Sequence, residues 1–461
     1  MFFDTIAAVG TPHGKGGVSM IRVSGSEAFS AAKKVFLPKN RNIVLEEHER
    51  KAIYGEFLDE NGTIFDDGIM VLYKGPASFT GEDMVEFFCH GSPVGTSILL
   101  DSILKCNVRQ ALAGEFTKRS FLNGKSSLTA VEGIADLLEA KSESAAILSS
   151  SVARGKLQEY IDSISSELLK ITSSLFVYVD YPDEDMQEIS DDEILLDLDS
   201  LKGKCRDLIN SFKIGKAITE GVSAAIVGKP NVGKSSLFNA LLKEECAIVS
   251  EYAGTTRDVI EYPLKLGKII LRLSDTAGIR KNTSDVIEKI GINLSLDKIE
   301  KETTKLIFAL FDSSKELDED DFEIISKLKG SAAIVIAIIT KTDLERKIDE
   351  KIIRENFENV FAVSLKNNPD FTDVSNKIDE LFSIGKDDLS DGKILINTRQ
   401  KDLLSKALSF IEDAVYNLEN QSKDIACVLL QSALAQLSEV EGREISEVIV
   451  EDIFSRFCVG K

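Results

Sequence analysis

Gly228-Lys229-Pro230-Asn231-Val232-Gly233-Lys234-Ser235 fits the pattern G-x-x-x-x-G-K-[ST]. Glycines at that spacing let backbone N–H groups curl around an anion at a helix N-terminus, where the helix dipole adds positive potential. Lys234 then reaches the β- and γ-phosphates of a nucleotide, and the Ser235 hydroxyl can ligate Mg2+. The backbone of Asn231, Val232 and Gly233, and of Ser236 at the helix start, belongs to the same cradle. The apolar run Val222 to Val227 precedes the motif and the helical stretch Ser236 to Leu242 follows it. That order of strand, loop and helix is the context the motif requires.

Three downstream segments complete a nucleotide pocket. Asp275-Thr276-Ala277-Gly278 follows the apolar run Ile269 to Leu273, so Asp275 can touch the Mg2+ shell while the Gly278 N–H senses the γ-phosphate. Gly254-Thr255-Thr256-Arg257-Asp258 lies between, where a switch threonine completes the metal shell. Thr340-Lys341-Thr342-Asp343 closes the apolar run Ala332 to Ile339. A carboxylate at Asp343 accepts from N1–H and the 2-amino group of guanine; adenine offers neither donor there and is rejected. Thr340 stands where such loops usually carry Asn, which is expected to loosen base contacts, and Ser364 lies where a loop supports the base. Taken alone, Thr340 to Asp343 would read equally well as a strand-end turn. The residue after Gly278 is Ile279, which cannot orient a nucleophilic water. Another residue must do so, and charge on the transferring phosphoryl must be neutralised differently. Oxygens of Asn231 and of the Ser250 to Thr255 segment suit a monovalent cation in that role.

These residues need a frame. The chain has 461 residues, 43% hydrophobic and 28% charged, which predicts two to four globular units rather than disorder. Residues 1–120 alternate short apolar runs (Val18 to Val23, Ile69 to Tyr73, Met84 to Phe88) with Gly-rich turns and predict an α+β domain. Helical spacing through Leu157, Ile161, Ile164, Leu168 and Ile171, then Leu198, Leu201 and Leu208, marks 121–215 as helical. The acidic stretch Asp180 to Glu193 reads as a solvated connection between helices. Strands alternating with helices over 216–384 predict a largely parallel sheet covered on both faces. Residues 385–461 are helical again, with Leu403, Leu404, Ala407, Leu408 and Ile411 on one face. Helices on both sides of a self-contained α/β unit predict that it is inserted into a helical domain.

A balance of 55 Lys+Arg against 76 Asp+Glu gives a formal charge of -21. Generic grip on a polyanion needs clustered cations, so any work on nucleic acid requires a basic partner or a local patch. The six cysteines show no metal or disulfide spacing, and no leader or membrane span is apparent, which suits a cytosolic protein.

The chain resembles the MnmE (TrmE) family of tRNA-modifying GTPases over essentially its whole length. The resemblance is carried by Gly17-Val18-Ser19-Met20-Ile21-Arg22-Val23-Ser24-Gly25, Thr80-Gly81-Glu82-Asp83, Cys89-His90-Gly91, Arg119 to Lys125, the nucleotide motifs, and the terminal Phe457-Cys458-Val459-Gly460-Lys461. It implies a folate-binding N-terminal domain and a Ras-like G domain inserted into a helical domain. It implies GTP hydrolysis stimulated by K+ through G-domain dimerisation. Carried onto this chain, the K+ ligands are Asn231, Ser250, Tyr252 (through its carbonyl) and Thr255, the Mg2+ ligands are Ser235 and Thr256, and Glu288 orients water. A reduced folate, 5-formyl- or 5,10-methylene-tetrahydrofolate, falls to Arg22, Glu86, Lys125 and Lys461, with Cys458 needed for tRNA modification. From the residues alone, Arg22 and Glu86 are ordinary surface charges, His90 is a strand-end residue without a visible partner, and Cys458 reads either as an inert thiol or, three residues from the end of the sequence and near Lys461, as a functional one. The implied partner is an FAD-dependent protein of MnmG (GidA) type, in a heterotetramer built on a homodimer. Together they would add an aminomethyl or carboxymethylaminomethyl group to C5 of wobble uridine, U34. Two other classes share parts of the pattern: Era- or Der-type ribosome-assembly GTPases, and a folate-dependent one-carbon transferase with a regulatory G domain. The first would carry a basic RNA-binding module, which the sequence does not display.

Overall fold

The computed structural model describes residues 4–180, 191–244, 261–274, 305–366, 369–382, 389–420, 422–442, 453–454, 457 and 460. The chain forms two compact units. One comprises residues 1–135, 153–172 and 427–461, and the other 136–152 and 173–426.

The first unit is built on strands β1 (Thr5–Val9), β2 (Val18–Ser24), β3 (Phe36–Pro38), β4 (Ile53–Leu58), β5 (Ile64–Tyr73), β6 (Met84–His90) and β7 (Val108–Gln110). They lie in the order β3-β4-β5-β6-β2-β1-β7, antiparallel except for the parallel pair β1 and β7. Alternation decides the faces. Ile21 and Val23 of β2, Met70 and Leu72 of β5, and Val85 and Phe87 of β6 enter one core. Helix α1 (Ala28–Val35) closes that core with Ala28, Ala31, Ala32 and Val35, the i, i+3, i+4, i+7 stripe of an amphipathic helix. Helix α2 (Pro93–Leu104), capped by the Ser92 hydroxyl accepting from the Gly95 N–H, adds Leu99 and Ile103. On the other face Ile6 and Ala8 of β1 pack with Ala111 and with Phe116 of α3 (Glu115–Leu122). The tail belongs to this unit. Phe454 and Phe457 stack at 5.9 Å and bury against Val131 of α4 (Leu128–Glu139). Gly114 (φ +66°) must be glycine, since a Cβ there would lie 2.5 Å from the Phe454 carbonyl oxygen.

In the second unit β8 (Val222–Gly228), β9 (Glu261–Leu266), β10 (Ile269–Ser274), β11 (Leu306–Asp312), β12 (Ile334–Thr340) and β13 (Asn359–Ala362) form a sheet ordered β13-β12-β11-β8-β10-β9. Only the β9–β10 pair is antiparallel. Every residue of β11 is buried, the continuous apolar pattern of a strand covered on both faces. Helix α5 (Glu143–Ala153) falls almost wholly in this unit, most of α6 (Lys156–Asp180) in the first, and α7 (Asp191–Thr219) leads into β8. Helices α9 (Glu319–Lys329), α10 (Glu350–Asn356) and α11 (Thr372–Leu381) alternate with or follow the later strands, and after the sheet comes α12 (Thr398–Glu419), which packs on α7 and ion-pairs Glu412 with Arg206 at 2.6 Å. The helices before and after the α/β segment therefore meet, as an inserted unit requires. The meeting is close at Gly215, where an added Cβ would lie 2.0 Å from the Leu395 carbonyl oxygen. Gly215→Ala is expected to destabilise the protein by about 1–3 kcal/mol, the cost of overpacking, read as a lower thermal midpoint.

Candidate functional site

β8 ends at Gly228 and helix α8 (Lys234–Glu244) begins six residues later, so the intervening chain is the loop the motif predicted. β8 lies beside β11; the chain runs from β8 to β9 and β10 on one side and from β11 to β12 and β13 on the other, and a ligand crevice forms beyond the carboxyl ends of strands where the order reverses in this way. Two loop residues have positive φ, Asn231 at +61° and Gly233 at +110°. Gly228 is held to glycine by space instead, because a Cβ there would stand 2.8 Å from the Val232 side chain and 2.9 Å from the Leu310 carbonyl oxygen. The Lys234 ammonium donates to the carbonyls of Gly228 and Lys229, both at 2.8 Å, which arches it back over the loop. Asn231, Ser235 and Ser236 are exposed on the loop and first helical turn.

The base-side loop is tied to the same frame. Thr340 ends β12 with no exposed surface, its hydroxyl 2.7 Å from the Val232 carbonyl oxygen and 3.1 Å from that of Phe311. A side chain so buried braces the loop from beneath. Lys341 (φ +56°) ion-pairs with Asp312 at 2.6 Å, and Ser313 donates to the Lys341 carbonyl at 2.9 Å. Burial alone would raise the Asp312 carboxyl, but hydrogen bonds from Lys341 and Ser314, with the nearby ammonium charge, outweigh it and hold it below its ordinary value. The Ser364 hydroxyl donates to Asp343 at 3.1 Å, and Lys366 stands 3.8 Å from the same carboxylate. Thus Lys234, Thr340, Lys341, Asp343 and Ser364 lie at or just beyond the carboxyl ends of β8, β12 and β13, parallel strands of one sheet. Ser250, Tyr252, Thr255, Thr256, Asp275, Thr276, Ala277, Gly278 and Glu288 lie outside the described residues.

In the first unit Arg22 and Glu86 face each other in register across β2 and β6. The Arg22 guanidinium donates twice to one Glu86 oxygen, at 2.8 and 3.0 Å, while the Tyr73 hydroxyl donates to the other at 3.2 Å. The Phe79 and Phe116 rings flank Arg22 at 5.2 and 5.7 Å. Arg22 and Glu86 are therefore a part-buried pair among aromatic rings, not the ordinary surface charges that residue type suggested. Burial, then the Glu86 charge and hydrogen bond, push the Tyr73 phenol up. Lys125 is exposed, and Gly81 borders its side chain, where an added Cβ would lie 3.4 Å from Cγ. Gly460 lies against Val9 and Gly10, and Val9 pairs with Ile21, next to Arg22. Cys458 and Lys461 lie outside the described residues.

Two of the resemblance motifs of this unit, Thr80–Asp83 and Arg119–Lys125, meet at one wholly buried guanidinium. Arg119 donates to the Asp4 carbonyl (2.8 Å) and carboxylate (2.9 Å), to Glu82 (3.1 Å) and to Glu115 (3.1 Å). Glu82 also accepts from Ser24, and Asn123 donates to the Thr80 carbonyl at 2.7 Å, so Thr80–Asp83 is pinned to α3 and β2.

His90 does have a partner, contrary to the sequence reading. Its Nδ1 lies 2.7 Å from Asp66, which also accepts from the His90 backbone N–H. The hydrogen bond to Asp66, then its charge, raise the imidazole above its ordinary value. A raised pKa means that this pair supports the fold fully at acidic pH, and its contribution is lost as pH climbs through the raised value. Proton NMR should place the His90 midpoint above that of an unperturbed imidazole, and Asp66→Asn should return it.

Sequence reasoning overlooked Tyr73 and Phe79 beside Arg22, and Lys229 inside the motif, which pairs with Asp318 and Asp321. Strand alternation with the β2–β6 register would have flagged the first set. Nothing local in the sequence points to the second, whose partners lie about ninety residues away.

The MnmE helical domain family matches residues 128–458, and the family of GTP-binding protein TrmE N-termini matches residues 5–125. The tRNA modification GTPase MnmE of Thermotoga maritima is 39% identical over 466 residues, covering 99% of this chain and 100% of that protein. Its namesake from Acetivibrio thermocellus is 37% identical over 465 residues, with 99% of each chain covered. Among solved structures, the G domain of the T. maritima FeoB iron transporter is similar at 26% identity with a TM-score of 0.26, over 35% of this chain and 98% of that one.

Proposed function

This chain belongs to the MnmE family of tRNA modification GTPases, and from that premise we propose how its two sites divide the work. It is a GTP hydrolase coupled to tRNA modification, with a Ras-like G domain inserted into a helical domain and preceded by an α+β domain. In our reading the N-terminal domain spans 1–120, the helical domain 121–215 and 385–461, and the G domain 216–384.

The described donors at the nucleotide loop are hard oxygens on exposed residues, Asn231 and Ser235, which suit K+ and Mg2+. In the first unit a carboxylate, a guanidinium and flanking rings suit a flat heterocycle with acidic substituents. When bound, the two cations supply positive charge beside the transferring phosphoryl, and a reduced folate supplies a one-carbon unit. Asn231, Ser250, Thr255 and the Tyr252 carbonyl would hold K+, and Ser235 and Thr256 would hold Mg2+. Lys234 binds the β- and γ-phosphates, Asp343 fixes guanine, and Glu288 orients the attacking water. Asp275 to Gly278 meet the Mg2+ shell and the γ-phosphate. Arg22, Glu86, Lys125 and Lys461 would hold the folate, with Cys458 serving the modification step beside it.

The reaction is addition of an aminomethyl or carboxymethylaminomethyl group to C5 of U34. It is carried out in a heterotetramer with an FAD-dependent MnmG-type protein that contributes basic surface to a chain of charge -21. Paired G domains stimulated by K+ would drive the open and closed states of the complex. The observation that best supports this reading is the shared frame of the base and phosphate loops, joined through Thr340 and Val232. K+ should raise GTP turnover above that in Na+, a yellow flavoprotein should co-purify, and wobble nucleosides from cells lacking the gene should show unmodified U34. Full modification in those cells would refute the assignment.

A further inference from the structure

The phosphate loop carries two lysines with opposite orientations. Lys234 arches over the loop's own carbonyls. Lys229 turns away, its side chain only 12% exposed, with Nζ 2.7 Å from Asp318 and 2.5 Å from Asp321. Both carboxylates belong to the start of helix α9 (Glu319–Lys329), where Asp318 is the N-cap and forms a reciprocal capping box with Asp321. The helix is itself immobilised, since Ile324, Ile325 and Leu328 lie in the core with Phe311 and Ile339.

The loop is thereby pinned at two points. The Lys229 side chain grips α9 on one side of Pro230-Asn231, and the Val232 carbonyl accepts from Thr340 on the other. Between these anchors sits Asn231 at φ +61°, a conformation an L-residue keeps only when its surroundings hold it there. We propose that Lys229 is a positioning residue for GTP: without touching the nucleotide, it clamps the loop to α9 and keeps the Pro230–Asn231 backbone in the form that receives phosphate. Its charge also satisfies two carboxylates that would otherwise oppose a phosphate nearby. The inference rests on the nucleotide-site reading above.

The test uses the full-length chain and a fluorescent GDP analogue, with nucleotide affinity, dissociation rate, GTP turnover and thermal midpoint measured together. Lys229→Met should speed nucleotide release by about ten-fold, equivalent to losing about 1.4 kcal/mol of binding. Lys229→Arg keeps a cation within reach of both carboxylates and should release nucleotide more slowly than Lys229→Met. Ile325→Val, a packing change on α9 away from the loop, should lower the thermal midpoint while leaving affinity unchanged. Should Lys229→Met not fold, the pair Asp318→Asn with Asp321→Asn removes the same clamp and should accelerate release likewise. Wild-type release from a folded clamp-less variant would overturn the proposal, as would Ile325→Val weakening affinity in proportion to its loss of stability. Lys234→Ala separates the two readings: if it both binds nucleotide and hydrolyses GTP as wild type does, the site assignment itself fails and the clamp falls with it.

Discussion

Replacing Asp343 with asparagine is expected to lower affinity for GTP by about 10⁴-fold, because a site built to hydrogen-bond a particular donor pattern is left with unpaired groups when the pattern breaks. The carboxylate ends the loop that leaves β12, with one oxygen 3.1 Å from the Ser364 hydroxyl and Lys366 3.8 Å from the other. Those contacts orient an acceptor-only group. An amide of the same shape presents an NH2 where guanine presents its own N–H donors, so donor meets donor. The substitution costs the fold little, since the side chain is partly exposed. The same argument predicts a gain with xanthine nucleotides, whose 2-oxo group accepts where guanine's amine donates. Competition by GTP, XTP and ATP against a fluorescent guanine nucleotide measures all three affinities. Unchanged GTP binding in the folded variant would remove Asp343 from the base site.

Lys234→Ala should reduce GTP hydrolysis by about 10²–10³-fold, the usual effect of deleting one preorganised donor from a site of developing negative charge. The ammonium is held on the loop by two carbonyls at 2.8 Å, so its position is set before any phosphate arrives. Removing it takes no residue from the hydrophobic core, and the thermal midpoint of the nucleotide-free protein should shift little. Single-turnover phosphate release, with nucleotide affinity measured in parallel, distinguishes lost binding from lost chemistry. Turnover near the wild-type rate would contradict the role assigned to this lysine.

Periodicity revealed four of the six described strands of the second unit almost residue for residue, and missed β9 and β13. Val222 to Val227 became β8, Ile269 to Leu273 became β10, and Leu306 to Phe311 became β11. The run beginning at Ala332 starts its strand at Ile334 instead. The Ala333 N–H is taken by the Ser331 hydroxyl, and the next N–H bonds the Lys305 carbonyl. Helical spacing was equally legible, since Leu157, Ile161, Ile164 and Leu168 are all buried. Partnerships were less so. His90 looked solitary and Arg22 looked like a surface charge, because the residues that pair with them are distant in sequence and arrive only through strand register. Arg119 shows the same limit in a stronger form, being an arginine with no exposed surface whose acceptors come from three separate segments.

What residue order determined by itself was the local pattern: a phosphate-loop motif after a buried strand, and helices flanking an α/β segment. Local pattern suffices there because backbone geometry and 2- or 3.6-residue periods act over a few neighbours. Tertiary structure decided which charges are inside and what holds each loop. It turned Thr340 into a brace under the phosphate loop, sent Lys229 to helix α9, and set Glu86 opposite Arg22. Those outcomes depend on the desolvation and pairing of groups far apart along the chain, and no local period encodes them.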